Sequence, residues 1–137
     1  AEVGNGFYHQ DFDDSGMLTI TYEDGAFATI DTSWSRPQKF PKGDVTLEVI
    51  GTKGVAQADL FTQNLTVYSK TSELSAPHYG TNVDYWMVDG FLRASAGEKV
   101  PELATGRDGL HALEVALAAY RSAQQHAPVS VQPVPAK

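Results

Sequence analysis

Between Met17 and Trp34 apolar and polar residues alternate in two runs separated by Asp24 and Gly25. Leu18, Ile20 and Tyr22 share one side of the first run and Met17, Thr19 and Thr21 the other, as a strand with one buried face requires. Glycine takes positive φ at no steric cost and Asp tolerates it. A tight hairpin is therefore predicted at Asp24 and Gly25, with 26–34 returning antiparallel. On the return strand Ala26, Ala28, Ile30, Thr32 and Trp34 face one way and Phe27, Thr29, Asp31 and Ser33 the other.

Pro37, Pro41 and Gly43 make 35–43 a loop, because they deny regular pairing. Beyond it Val45, Leu47 and Val49 alternate with Thr46, Glu48 and Ile50, a third strand that turns at 51–54 into a fourth over 55–60. Residues 65–70 make a fifth. Short links predict one antiparallel meander with a single face entering a core. The opposite face is rich in Thr, Ser, Asp, Glu and Gln and carries Phe27, Ile50 and Tyr68; it is wet or it meets a partner.

Residues 71–80 read as an irregular linker. Thr81 and Asn82 then cap a helix with Asp84 at its positive end, Val83, Met87 and Phe91 at spacing four, Val88 and Leu92 alongside, and Gly97 as its stop. Gly90 weakens that helix. Thr105 and Asp108 form a capping-box pattern opening a second helix. Its apolar stripe is Leu110, Leu113, Leu117 and Tyr120, with Ala112, Ala116, Ala119 and Ala123 small enough for close approach. Pro128 forbids continuation, and 129–131 are expected to add a last short strand before the tail QPVPAK.

The 137 residues are 42% hydrophobic and 20% charged, which predicts one globular domain, 1–137, with a core that excludes water. Ten Lys plus Arg against 17 Asp plus Glu give a charge of -7 without a basic cluster, so nucleic acid is not an expected partner. With no cysteine, disulfides, thiolate catalysis and cysteine metal sites are excluded; a reducing cytoplasm is the simpler compartment. No apolar run nears the roughly 20 residues that span a bilayer, and the N-terminal stretch lacks the pattern of a secretory signal. The chain opens on Ala instead of Met, which fits excision from a longer polypeptide.

Asp11, Asp13, Ser15 and Gly16 match the first half of a calcium loop, but the twelfth position is Tyr22 and a strand follows; the simpler reading is an acidic loop. The four histidines form no close pair, so no metal site is expected. His111 belongs at the edge of the second helix's packed face. There is no GxSxG, no GxGxxG between strand and helix, and no GxxxxGK[ST], so neither a hydrolytic nucleophile nor a dinucleotide turn is encoded. Asn64, Leu65 and Thr66 spell a glycosylation sequon that matters only in a secreted eukaryotic chain.

Two places invite a ligand. Trp34, Arg36, Lys39 and Phe40 end one strand and enter its loop, where an indole can stack on a sugar and the cations can donate to hydroxyl or carboxylate oxygens. The plainer alternative is that Trp34 caps the core and the cations balance an acidic surface. His78 and Tyr79, in the linker, are free to reach a ligand.

Three ordered blocks, TITYEDGAFATIDTSWSRP, LEVIGTKGVAQAD and VDGFLRASAGEKVPELATGRDGLHALEVALAAYRSAQQHAPVSV, cover most of the chain. In them it resembles the C-terminal domain of the Gfo/Idh/MocA oxidoreductases, the family of glucose-fructose oxidoreductase and inositol dehydrogenase. The resemblance implies an α+β fold: an open-faced, mostly antiparallel sheet with helices packed on one face. It implies a missing N-terminal Rossmann domain that binds NAD or NADP, a sugar, cyclitol or related polyol as substrate, and hydride transfer between the two. The family's Lys-Pro motif and its Asp and His element have no counterpart, so no catalytic residue carries over and the chain alone is expected to be inactive.

In such enzymes the polar sheet face commonly meets its copy. That implies a homo-oligomer burying Phe27, Thr29, Ile50 and Tyr68. A stand-alone, non-catalytic interaction module of the same fold is the alternative, and an independent small-molecule binder using the Trp34 loop is a third.

Overall fold

The computed structural model describes residues 1–40 and 43–133; Pro41, expected in the loop, and the end of the QPVPAK tail lie outside the described residues. In chain order the elements are β1 (Glu2–Gly4), β2 (Ser15–Thr21), β3 (Phe27–Ser33), β4 (Thr46–Gly51), β5 (Gly54–Asp59), β6 (Asn64–Ser69), β7 (Glu73–Ala76), α1 (Val83–Ser95) and α2 (Gly106–Gln125). They form an α+β arrangement with two antiparallel sheets in place of the single five-stranded meander: β1-β2-β3 and β4-β5-β6-β7. The chain divides into two compact units, Ala1–Pro37 with Ala104–Lys137, and Gln38–Leu103.

In the first unit the predicted hairpin forms. Tyr22 donates to the Ala26 carbonyl at 2.9 Å, Asp24 Oδ1 accepts from Ala26 N–H at 3.0 Å, and Gly25 takes φ 86°. Leu18 faces Ile30 and Ile20 faces Ala28, while Met17, Thr19 and Thr21 pair with Asp31, Thr29 and Phe27 on the exposed face. The register matches the period-two reading of both strands, and burial alternates along β2 but not along β3, where Ile30 is exposed.

α2 begins as expected: Thr105 N–H donates to Asp108 Oδ2 at 2.7 Å, and the reciprocal bond from Asp108 N–H completes the capping box. Its packed face differs from the expectation. The buried residues are Glu114, Ala118 and Ser122, whereas Leu113, Leu117 and Tyr120 stay exposed. α2 lies against β1, a three-residue strand that the sequence pattern does not announce. The small side chains Ala118 and Ser122 permit approach there; a leucine stripe would hold the elements apart. The short strand expected at 129–131 does not form, since no strand pairs with that segment.

In the second unit β4 to β7 form the meander, and β7 occupies part of the stretch read as an irregular linker. Register sorts its faces. Thr46, Glu48 and Ile50 pair with Asp59, Gln57 and Val55, whereas Leu47 and Val49 pair with Ala58 and Ala56 on the opposite side. Gly54 is required by contact, because a Cβ there would fall on the Tyr68 carbonyl oxygen. α1 is capped by Asn82, whose Oδ1 accepts from Tyr85 N–H at 2.9 Å. Arg93 near its end is clamped by Glu98 and, at 3.6 Å, by Asp89.

The expectation of a water-excluding core fails. Among the described residues Ala118 is the only buried hydrophobic side chain, while Leu47, Val49 and Leu74 on the apolar side of the second sheet and Trp86, Met87, Phe91 and Leu92 on α1 are exposed. The amphipathic pattern is present in each element, but the surface that would cover it is not supplied within these residues.

Candidate functional site

Trp34 sits just past β3 in the first unit. Its backbone N–H donates to the Asp14 carbonyl at 3.2 Å and its indole Nε1–H to the Asp13 carbonyl at 3.0 Å. Both N–H groups of the residue are thus tied to the loop before β2, yet 61% of Trp34 remains exposed. It does not cap a core. The Phe12 ring lies 5.3 Å from the indole and the Tyr8 ring 6.2 Å, and Phe7 meets Tyr8 edge-on at 4.9 Å.

Asp14 organises this loop. Among the described residues it is the most deeply buried side chain, at 2% exposure, and its Oδ2 accepts from the Phe7 and Tyr8 N–H groups, each at 2.8 Å. The Tyr8 amide, helped by that of Phe7 and opposed by burial, holds the Asp14 carboxyl below its ordinary value. Its carbonyl also accepts from the Ser33 and Ser35 hydroxyls, both at 3.1 Å. The neighbouring Asp13 Oδ1 accepts from the Tyr120 hydroxyl at 2.6 Å, and this bond raises the tyrosine pKa. An open cleft of about 410 Å³ results, lined by Phe12, Asp13, Asp14, Ser15, Ser33 and Trp34 together with Thr32.

The half calcium motif has a different use here. Of its acids Asp13 accepts from the Tyr120 hydroxyl, while the main-chain amides are served by Asp14, which lies outside the motif, and no group of three or more His, Cys, Asp or Glu fit for a metal occurs among the described residues.

Arg36 belongs to the first unit with Trp34, whereas Lys39, Phe40, His78 and Tyr79 belong to the second. His78 has φ 50°, a left-handed backbone that its surroundings hold. Its N–H donates to Asn64 Oδ1 at 3.1 Å, Tyr79 N–H donates to the Gln63 carbonyl at 3.1 Å, and His78 Nδ1 lies 3.1 Å from the Thr62 carbonyl. A carbonyl only accepts, so in the neutral ring Nδ1 carries the proton and Nε2 keeps a lone pair. Asn64, the sequon residue, is occupied at both ends of its amide, since Nδ2 donates to Thr62 Oγ1 at 3.0 Å. His111 is exposed at the rim of α2 as expected, 2.9 Å from the buried Glu114.

Of the residues expected at a sheet interface, Ile50 and Tyr68 share one cross-strand row, both paired with Val55. Phe27 and Thr29 share the exposed face of β3 in the first unit. Phe27 at 72% and Ile50 at 75% are the most exposed large hydrophobic side chains described. Phe12, Tyr8, Asp13, Asp14 and Tyr120 were not anticipated around Trp34. The aromatic and acidic density of YHQDFDD was the signal for all but Tyr120, and the calcium reading absorbed it.

An open α+β domain of antiparallel sheets and capped helices is what these elements define. The family model described as "Oxidoreductase family, C-terminal alpha/beta domain" matches residues 2–131, and the chain belongs to this Gfo/Idh/MocA family. It is 33% identical over 126 residues to the "Uncharacterized oxidoreductase YrbE" of Bacillus subtilis (strain 168), covering 87% of this chain and 36% of that protein. A solved structure, that of a putative oxidoreductase from Thermotoga maritima, superposes with a TM-score of 0.70 at 22% identity, covering 87% of this chain and 35% of that one; it shows the fold. The chain thus spans about a third of the length of either relative.

Proposed function

We propose that this chain is the substrate-side and oligomerisation domain of a longer NAD(P)-dependent oxidoreductase acting in the cytoplasm on a sugar, cyclitol or related polyol. One observation carries the reading: the C-terminal domain model matches nearly the whole chain while the chain covers only 36% of its oxidoreductase relative. The uncovered apolar surfaces of α1 and of the second sheet support it, because a partner domain would remove them from water.

The dinucleotide itself does not fit the residues present. Every strand pairing described is antiparallel, and no glycine-rich turn leads from a parallel strand into a helix N-terminus. Cofactor binding and hydride transfer are therefore assigned to the Rossmann half, and this chain offers candidate substrate contacts in each unit separately, Trp34 and Arg36 in the first and Lys39, His78 and Tyr79 in the second. The polar sheet faces, with Phe27, Thr29, Ile50 and Tyr68, pair with a second copy.

The test begins with the reading frame upstream of Ala1. The reading expects a strand, a glycine-rich turn and a helix there, and a full-length product that reduces NAD or NADP with a polyol while the 137-residue chain does not. A start codon immediately before Ala1 would instead favour a stand-alone homo-oligomeric module, for which the exposure of Phe27 and Ile50 is the supporting observation.

A further inference from the structure

We propose that Arg121 is a docking arginine whose guanidinium takes a carboxylate from the residues immediately before Ala1 in the longer protein, tying α2 to the segment that leads in from the missing half. The inference rests on the reading of this chain as one part of a longer oxidoreductase, and every residue it uses lies within the first unit.

Burial, not exposure, singles the residue out. Most large apolar side chains of the chain meet water, yet Glu114, Ala118 and Ser122 on α2 are three of the four buried side chains among the described residues. At about 100° per residue Arg121 falls about 20° from Glu114 around the helix, so it borders the same buried strip. The polar members of that set have partners. Asp14 accepts from two amides, Glu114 is bonded to His111, and Ser122 Oγ lies 2.9 Å from the Ala1 nitrogen while donating to the Ala127 carbonyl at 2.8 Å. Arg121 Nη2 differs, because it is shut off from water and has no hydrogen-bond partner among the described residues. Taking a guanidinium N–H out of water with nothing in return is costly, and native structures rarely keep such a group.

The chemistry of the orphan nitrogen names its partner. A guanidinium only donates, so the missing group is an acceptor. The donor is also charged and desolvated, which favours a carboxylate: it brings the opposite charge and two oxygens that match the planar fork. Glu114, about 10.5 Å back along the helix axis, does not bond to Nη2.

Position names the source. The Ala1 nitrogen is held by Ser122 Oγ, so the chain enters this unit on α2 at the residue beside Arg121. A main-chain N–H makes the same bond as a terminal ammonium, and the contact survives when residues precede Ala1. Extended chain covers roughly 3.3–3.6 Å per residue, so the last six or so residues before Ala1 stay within roughly 20 Å of that anchor. A carboxylate among them reaches Nη2 without rearranging α2.

The test starts with the reading frame upstream of Ala1, where an Asp or Glu is expected among about the last six codons. A frame that continues upstream without one overturns the docking role and leaves the oxidoreductase reading standing; a start codon directly before Ala1 overturns both. In the full-length product Arg121→Met should lower the urea midpoint by about 0.5–1 M, changing the upstream acid to its amide should do the same, and the double variant should be no worse than either alone. Arg121→Lys keeps the charge without the fork and should recover part of the loss. In the 137-residue chain the acid is missing, so Arg121→Met deletes an unpaired buried cation and should leave the midpoint unchanged or raise it. Additive losses in the double variant, or an equal fall of the midpoint in both proteins, would make Arg121 a local packing residue and overturn the proposal. The double variant decides alone if the shorter chain unfolds without a cooperative midpoint.

Discussion

Asp14 shows how one side chain can shape a loop and give it a pH response. Its carboxyl is held below the ordinary 3.8 chiefly by the Tyr8 amide, so its ionised form is favoured in the folded chain. A depressed folded pKa contributes stability that is present above the unfolded value and is lost as pH falls through the folded one. The chain should therefore lose stability below about pH 4, and Asp108, lowered by the Thr105 hydroxyl, acts in the same direction. Asp14→Asn should lower the urea midpoint at pH 7 and flatten its fall between pH 5 and 3; an unchanged slope would remove Asp14 as its source. The site around it was only partly legible. Trp34 stood out as an aromatic at a strand end, but Phe12 and Tyr120 reach it through folding, and Tyr120 is 107 residues from Asp13.

Elements whose signals are local matched expectation, and those whose fate depends on a distant partner did not. The Asp24–Gly25 turn and the caps at Asn82 and Thr105 each close within a few residues, so sequence spacing specifies them. The packed face of α2 was misplaced because β1, over 100 residues earlier in the chain, selects Ala118 and Ser122 over the leucines. β7 was hidden because Glu73–Ala76 has little apolar alternation of its own and forms by pairing with β6. Thr105→Ala should cost about 1 kcal/mol in urea unfolding by removing the cap of α2. Gly90 yields an opposite prediction. A Cβ there would meet Val100 at 3.7 Å and Leu103 at 3.9 Å, ordinary contacts, so Gly90→Ala should stabilise by about 0.5–1 kcal/mol through helix propensity. Gly54→Ala must instead displace the Tyr68 carbonyl and should destabilise by about 1–3 kcal/mol in the same assay.

The two sheets each present polar faces on a chain of net charge -7, and that pairing of properties makes self-association testable. Covering Phe27 and Ile50 favours association, because both are large apolar groups standing among Thr, Asp and Gln. Like charge on the two copies opposes it. Screening decides the balance: the Debye length falls from about 30 Å at 0.01 M salt to about 3 Å at 1 M, which weakens the repulsion and leaves the apolar contribution in place. Sedimentation equilibrium should therefore show association strengthening with added salt. Ile50→Lys and Phe27→Lys separate the two effects, since each lowers the net negative charge while removing apolar surface. If apolar contact dominates, both variants become more monomeric despite their reduced repulsion. If association strengthens in either variant, the face carrying that residue is held apart by charge alone and is not where copies meet.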